Sequence, residues 1–147
     1  MDGANIISGR VGYELKRVQS LLRSRMDGEL RPLGLTTPQY AALSVLGDFP
    51  GISGAELARR SFVTAQTMNQ VLAKLEGAGL IEKRRHPGHG RVLQAYLTPE
   101  GEALVDEAHS VVGGIEAAML APLDGPERAK LVEMLSSCAD TMERTDT

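Results

Sequence analysis

Residues 53–97 read SGAELARRSFVTAQTMNQVLAKLEGAGLIEKRRHPGHGRVLQAYL. From Thr64 to about Ala78, the residues Met68, Val71, Leu72 and Leu75 fall at i, i+3, i+4 and i+7. This is one apolar stripe at a period of about 3.6, and it predicts an amphipathic helix. Ahead of it, Ser53-Gly54-Ala55-Glu56 fits a capping box opening a short helix that closes at Arg59-Arg60, where cations suit the helix dipole. Ser61-Phe62-Val63 makes the turn between the two, and Thr64 caps the second. Beyond the stop Glu76-Gly77-Ala78-Gly79, Leu80–His86 and Val92–Thr98 read as strands around Pro87-Gly88-His89-Gly90. The order is that of a helix-turn-helix followed by a hairpin wing.

The polar face of the longer helix suggests what this arrangement meets. Gln66, Thr67, Asn69 and Gln70 carry uncharged amides and hydroxyls, the groups that pair with base edges in a major groove. Thr64 is a cap first and a phosphate contact second. Lys74, Arg84, Arg85 and Arg91 are candidate DNA-contacting cations, with Arg59, Arg60 and Lys83 nearby; roughly half of the cations outside the wing tip are expected to be plain solvated charges. A ribbon tipped by Arg91 suits a minor groove, whose potential is most negative over A·T-rich sequence.

Outward from this stretch the chain is helical. Val11, Leu15, Val18, Leu22, Met26 and Leu30 predict a long helix over residues 10–30, with Arg10, Lys16, Arg17, Arg23 and Arg25 on its other face. Pro32 and Gly34 end it, and Thr37-Pro38, read as N-cap then N1, starts a second helix with Tyr40, Leu43 and Leu46 to one side. Thr98-Pro99-Glu100 opens a fifth helix with the stripe Leu104, Ala108, Val111, Ile115 and Met119, interrupted at Gly113-Gly114 by a bend or a close crossing. Asp124-Gly125-Pro126-Glu127 fits a second capping box, and Leu131, Met134, Leu135, Cys138 and Met142 are expected to face inward on the last helix. The first, fifth and sixth helices exceed what a DNA-reading module needs. Their spare apolar faces are most simply buried against a second copy.

Composition narrows the class. The net charge is −3, divided into +1 over residues 1–55, +4 over 56–96 and −8 over 97–147, so the middle alone favours an anionic partner. No apolar run reaches the roughly 18 residues of a membrane span, and MDGANIISGR lacks the basic-then-apolar order of a signal peptide, which predicts a cytoplasmic protein. The single cysteine, Cys138, has no partner for a disulfide and reads as a small buried hydrophobe. His86 and His89 have the look of a metal pair but lack the two further ligands a structural zinc wants. No Gly-rich phosphate loop, nucleophile elbow or metal-ligand cluster supports an enzyme, and no cofactor is expected.

With these pieces in place, the chain resembles the MarR family of winged helix-turn-helix transcription factors. The resemblance rests on Leu-Gly-Leu-Thr before helix two, Ala-Glu-Leu-Ala on helix three, Lys-Leu-Glu-Gly-Ala-Gly-Leu-Ile leading into the wing, and Leu-Thr-Pro-Glu-Gly entering helix five. It covers about residues 10–145. It implies an obligate homodimer with interleaved terminal helices that represses genes at a pseudo-palindromic operator. Many members of the family release DNA on binding a small phenolic or other aromatic compound, and others sense oxidants through a cysteine near the first helix, where this chain has none. The wing of the family commonly carries an Asp two residues before its tip Arg; here that position is His89, ahead of Arg91.

The expected architecture is therefore mainly α with a small β-hairpin wing. It is a single domain over residues 1–147, with dimerisation helices at 10–31 and 99–145 and the DNA-binding region at 37–98. The expected activity is dimeric, sequence-specific regulation, as a repressor released by an aromatic effector. For that effector, Tyr13 and Arg17, one turn apart, offer a hydroxyl and a cation, with Tyr40, Leu43 and His109 as walls. Two alternatives stay open: a winged-helix module that binds only protein, and a regulator working through Cys138 oxidation.

Overall fold

The computed structural model describes residues 9–85, 88 and 93–145. In chain order they form α1 (Arg10–Leu30), a 3-10 turn (Arg31–Leu33), α2 (Thr37–Asp48), α3 (Gly54–Arg60), α4 (Ala65–Gly77), β1 (Ile81–Arg85), β2 (Leu93–Leu97), α5 (Pro99–Met119) and α6 (Gly125–Thr145). This is the expected helical fold with one two-stranded antiparallel hairpin. The chain divides into two compact units, one through Val112 and one from Gly113. No helix among the described residues is long and apolar enough to cross a membrane.

The first unit is built on the stripe that periodicity predicts. Met68, Val71, Leu72 and Leu75 of α4 are all buried, packed with Leu43 and Leu46 of α2, Leu57 of α3, Ile81 of β1 and Leu30 at the end of α1. The hairpin pairs Ile81 with Leu97 and Arg85 with Leu93, and it is tied to the start of α3 by a Ser53–Gln94 bridge. Gly51 also donates its N–H to Ala95 O (3.0 Å), so the wing grows from the same core as the helices.

Three helix ends in this unit close alike, with paired 6→1 and 5→2 bonds around a left-handed residue. After the 3-10 turn, Leu35 N donates to Leu30 O and Gly34 N to Arg31 O; after α4, Leu80 N donates to Leu75 O and Gly79 N to Glu76 O. After α3, Val63 N donates to Ala58 O and Phe62 N to Arg59 O. Glycine fills the left-handed slot in the first two cases, but in the third it is Phe62, at φ 58°. Its side chain is 93% exposed.

Several local expectations are corrected. The cap of α2 is Thr36, one residue before the Thr37-Pro38 order suggests. Thr36 Oγ accepts from Gln39 N (3.3 Å), and Gln39 Oε1 accepts from Thr36 N (3.0 Å). Adjacent threonines offer the same cap, and Gln39 stands three residues after the first. At α3 only half of the box forms: Ser53 Oγ accepts from Glu56 N (3.2 Å), while the Glu56 carboxylate turns to Arg59 and Arg60. An ionised donor holds a carboxylate more strongly than a backbone amide does.

On α5 the buried line is Val105, Ala108, Val112 and Ile115; Leu104 and Val111 are half-buried and Met119 is exposed. Apolar residues occupy two adjoining faces there, so periodicity alone misplaces the stripe by part of a turn. The helix also runs unbroken through Gly113-Gly114, where an added Cβ would meet nothing within 4 Å. A propensity cost of about 1 kcal/mol per glycine does not stop a helix of this length.

In the second unit, Asp124 Oδ1 accepts from Glu127 N (2.8 Å) and Glu127 Oε1 accepts from Asp124 N (2.9 Å), which is the predicted box. The inward stripe of α6 is not buried, however. No residue of the helix is buried, Met134, Leu135 and Met142 are exposed, and so is Cys138, which corrects the reading of that thiol as a buried hydrophobe. Periodicity marks the apolar side of a helix without saying what covers it.

Candidate nucleic-acid interface

α4 begins on Thr64, whose extended backbone (φ −71°, ψ 158°) places its hydroxyl over the first turn. Thr64 Oγ accepts from Thr67 N (3.1 Å) and donates to Thr67 Oγ (3.0 Å), which leaves the Thr67 hydroxyl proton available to an outside acceptor. Gln66, Asn69 and Gln70 are exposed on the turns that follow, and among the described residues none has a side-chain hydrogen-bond partner. Four buried apolar side chains hold the opposite face of the helix. The polar face is thus rigidly mounted and open to an outside partner.

The cations sort into tied and available. Glu56 binds both Arg59 and Arg60, and Arg60 also lies 4.1 Å over the Phe49 ring. The hydrogen bond from Arg59, assisted by its charge and that of Arg60, holds the Glu56 carboxyl below its ordinary range. Lys83 stands 3.8 Å from Glu76. Arg84 is paired with Glu82 and stacked 4.4 Å over Tyr96, so it is the most encumbered of the proposed DNA contacts. Lys74 and Arg85 are exposed and have no ion pair among the described residues. The wing tip, with Arg91, His86, His89 and the exchanged bracing position, lies outside the described residues.

Of the proposed effector residues, the structure brings two together. Tyr40 Oη and His109 Nδ1 are 2.8 Å apart, and their rings meet edge to face at 5.4 Å. Tyr13 is 65% exposed on α1, and Arg17 is bonded to Glu14 at 3.2 Å. Leu43 is sealed in the core at 0% exposure, because its position on α2 faces the α4 stripe rather than an opening.

A separate cleft of about 260 Å³ opens between α1, the start of α2 and the turn after α3. Leu22, Arg23 and Met26 line it on one side, Thr37 and Ala41 on a second, and Ser61, Phe62 and Val63 on the third. Sequence reading missed this cleft. Its one legible sign was the absence of glycine in Ser61-Phe62-Val63, where the helix end asks for a left-handed residue.

A family model described as MarR family matches residues 33–92. The HTH-type transcriptional repressor Rv2887 of Mycobacterium tuberculosis is 44% identical over 125 residues, covering 85% of this chain and 90% of that protein. The crystal structure of the Mycobacterium tuberculosis MarR family protein Rv2887 in complex with salicylic acid is similar, with a TM-score of 0.71 at 43% identity over 86% of this chain and 94% of that one. The Rv2887 complex with DNA gives a TM-score of 0.71 at 41% identity over 86% and 95%.

Proposed function

We propose that this chain, which belongs to the MarR family, is a dimeric, sequence-specific DNA-binding repressor of transcription released by a small aromatic effector. The observation that carries the reading is the mounted, exposed polar face of Gln66, Thr67, Asn69 and Gln70 on α4, flanked by the available cations Lys74 and Arg85. Such a face supplies base-edge donors and acceptors together with backbone anchors. Thr64, Arg84 and the wing Arg91 complete the proposed interface, Arg84 only if the duplex competes with Glu82.

The whole of 1–147 acts as one domain in this reading, with 37–98 on DNA and 10–31 and 99–145 joining two copies. The exposed Val11, Leu15 and Val18 of α1, and the exposed Met134, Leu135 and Met142 of α6, supply apolar surface that a second copy would cover. The relative Rv2887 has been crystallised with salicylic acid and with DNA, which supports an aromatic carboxylate as effector and a duplex operator as target. Tyr40 and His109, with Tyr13 and Arg17 nearer the N-terminus, form the proposed effector site. A duplex-DNA partner supports a cytoplasmic location.

The reading is tested by duplex binding across a salt series. Affinity is expected to fall steeply as salt rises, and Lys74→Ala is expected to reduce the log–log slope by about 1. Failure to bind duplex DNA at any salt, alongside salt-resistant capture of a protein, would instead support the interaction-module alternative.

A further inference from the structure

The net charge of +4 over residues 56–96 is built on pairs. The segment holds three carboxylates, and each is spent on a cation of the same segment: Glu56 on Arg59 and Arg60, Glu76 on Lys83, and Glu82 on Arg84. Glu56 also sits in the first turn of α3, where its charge suits the helix dipole, and Glu76 stands 3.8 Å from its lysine. In the third pair the cation is a proposed DNA contact. Side chains alternate along the hairpin, so Glu82 and Arg84 of β1 share one face with Gln94 and Tyr96 of β2, while Ile81 and Ala95 are buried on the other. Glu82 Oε1 accepts both Nε–H (2.8 Å) and an Nη2–H of Arg84, which leaves Nη1 without a partner among the described residues. The guanidinium lies 4.4 Å over Tyr96. That ring is itself fixed, since its Oη donates to Gln94 Oε1 (3.2 Å) and a Cβ on Gly51 would stand only 2.8 Å from the same oxygen.

We infer that Glu82 is an autoinhibitory contact of the wing, its carboxylate standing where a backbone phosphate of the duplex binds. The inference rests on the proposed reading of the chain as a DNA-binding protein, and it adds to that reading a residue that limits affinity. Carboxylate and phosphate both offer a guanidinium paired acceptor oxygens, and the Nε–Nη2 edge of Arg84 serves one anion at a time. DNA therefore gains that edge only by displacing Glu82. An exposed ion pair such as this one is weak enough to give way. What the exchange forfeits is counterion release, because Arg84 meets the duplex already neutralised. Tyr96 holds the guanidinium through the exchange, so the site is not remade when the anion changes. The loss falls on every sequence alike, since a phosphate contact carries no base information.

The test is binding of the whole protein to a random-sequence duplex across a salt series. Glu82→Gln is expected to tighten binding roughly fivefold at about 0.1 M salt and to steepen the log–log slope by about 1. Glu82→Gln/Arg84→Gln should lose both gains. Glu100→Gln makes the same charge change at an exposed residue that has no ion pair among the described residues, and it should leave the slope unchanged. An equal gain from Glu100→Gln, or a gain that survives the loss of Arg84, would overturn the inference. So would weaker or unaltered binding by Glu82→Gln, which would make Glu82 a support for Arg84 and not its competitor. All of these outcomes leave duplex binding by the unmodified protein intact; if no form binds duplex, the DNA reading fails and this inference fails with it.

Discussion

Phe62 occupies a position where the backbone asks for glycine. The bonds from Phe62 and Val63 to Arg59 and Ala58 repeat those made around Gly34 and Gly79, so the conformation is set by the helix ending and not by the side chain. A left-handed non-glycine residue costs roughly 1–2 kcal/mol, and a glycine gives back part of that through its unfolded-state freedom. Phe62→Gly is therefore expected to stabilise the fold by roughly 0.5–1 kcal/mol, read as a higher denaturant midpoint at unchanged slope.

A second residue-scale prediction concerns Asp27, which accepts from the Thr37 hydroxyl at 2.5 Å and so fastens α1 to the first turn of α2. That hydrogen bond, helped by Arg23 and opposed by partial desolvation, lowers its pKa. A carboxyl depressed in the folded state contributes stability above its unfolded value of about 3.9, and this is lost as pH falls through the lower folded value. The Asp27 carboxyl carbon should titrate below that value, and Thr37→Val should move it back up. Equal midpoints in the two proteins would remove the proposed fastening.

At the scale of elements, the start of α5 shows why some of the chain could be read in advance and some could not. Thr98 Oγ accepts from Gly101 N (3.1 Å) and donates to Gly79 O (2.7 Å), and a Cβ on Gly101 would lie 2.0 Å from Leu80 O. The backbones of α5 and the chain leaving α4 are in contact there. Gly101→Ala is expected to destabilise by about 2–3 kcal/mol, as overpacking against a rigid neighbour does, with circular dichroism melts as the check. In the sequence Gly101 looks like an ordinary weak helix residue, because its reason is tertiary.

The stripe of α4 was legible because each of its apolar positions meets the core, and the box at Asp124–Glu127 because both its bonds are local. Glu56 was half legible: its spacing from Ser53 announces a cap, but the choice between an amide and two guanidiniums depends on where Arg59 and Arg60 reach. That Gln66, Thr67, Asn69 and Gln70 share the exposed side of α4 was visible from spacing alone. Which of the nearby cations are tied was not, since Arg84 is claimed by Glu82 and Tyr96 through strand geometry.

For the whole molecule, a basic middle is mounted on a core that leaves apolar residues of α1 and α6 exposed in the single chain. Both features follow if two copies bury those helices and present two α4 faces to one side of a duplex, about 34 Å apart. That symmetry is the central claim, and selection from a pool of random duplex DNA at near-physiological salt tests it most directly. An inverted repeat with half-sites about one helical turn apart should be retained, and Asn69→Ala should relax the preference at a fixed position in each half-site. Retention of a single unrepeated site, or of no preferred sequence at all, would contradict a dimer that reads DNA through α4.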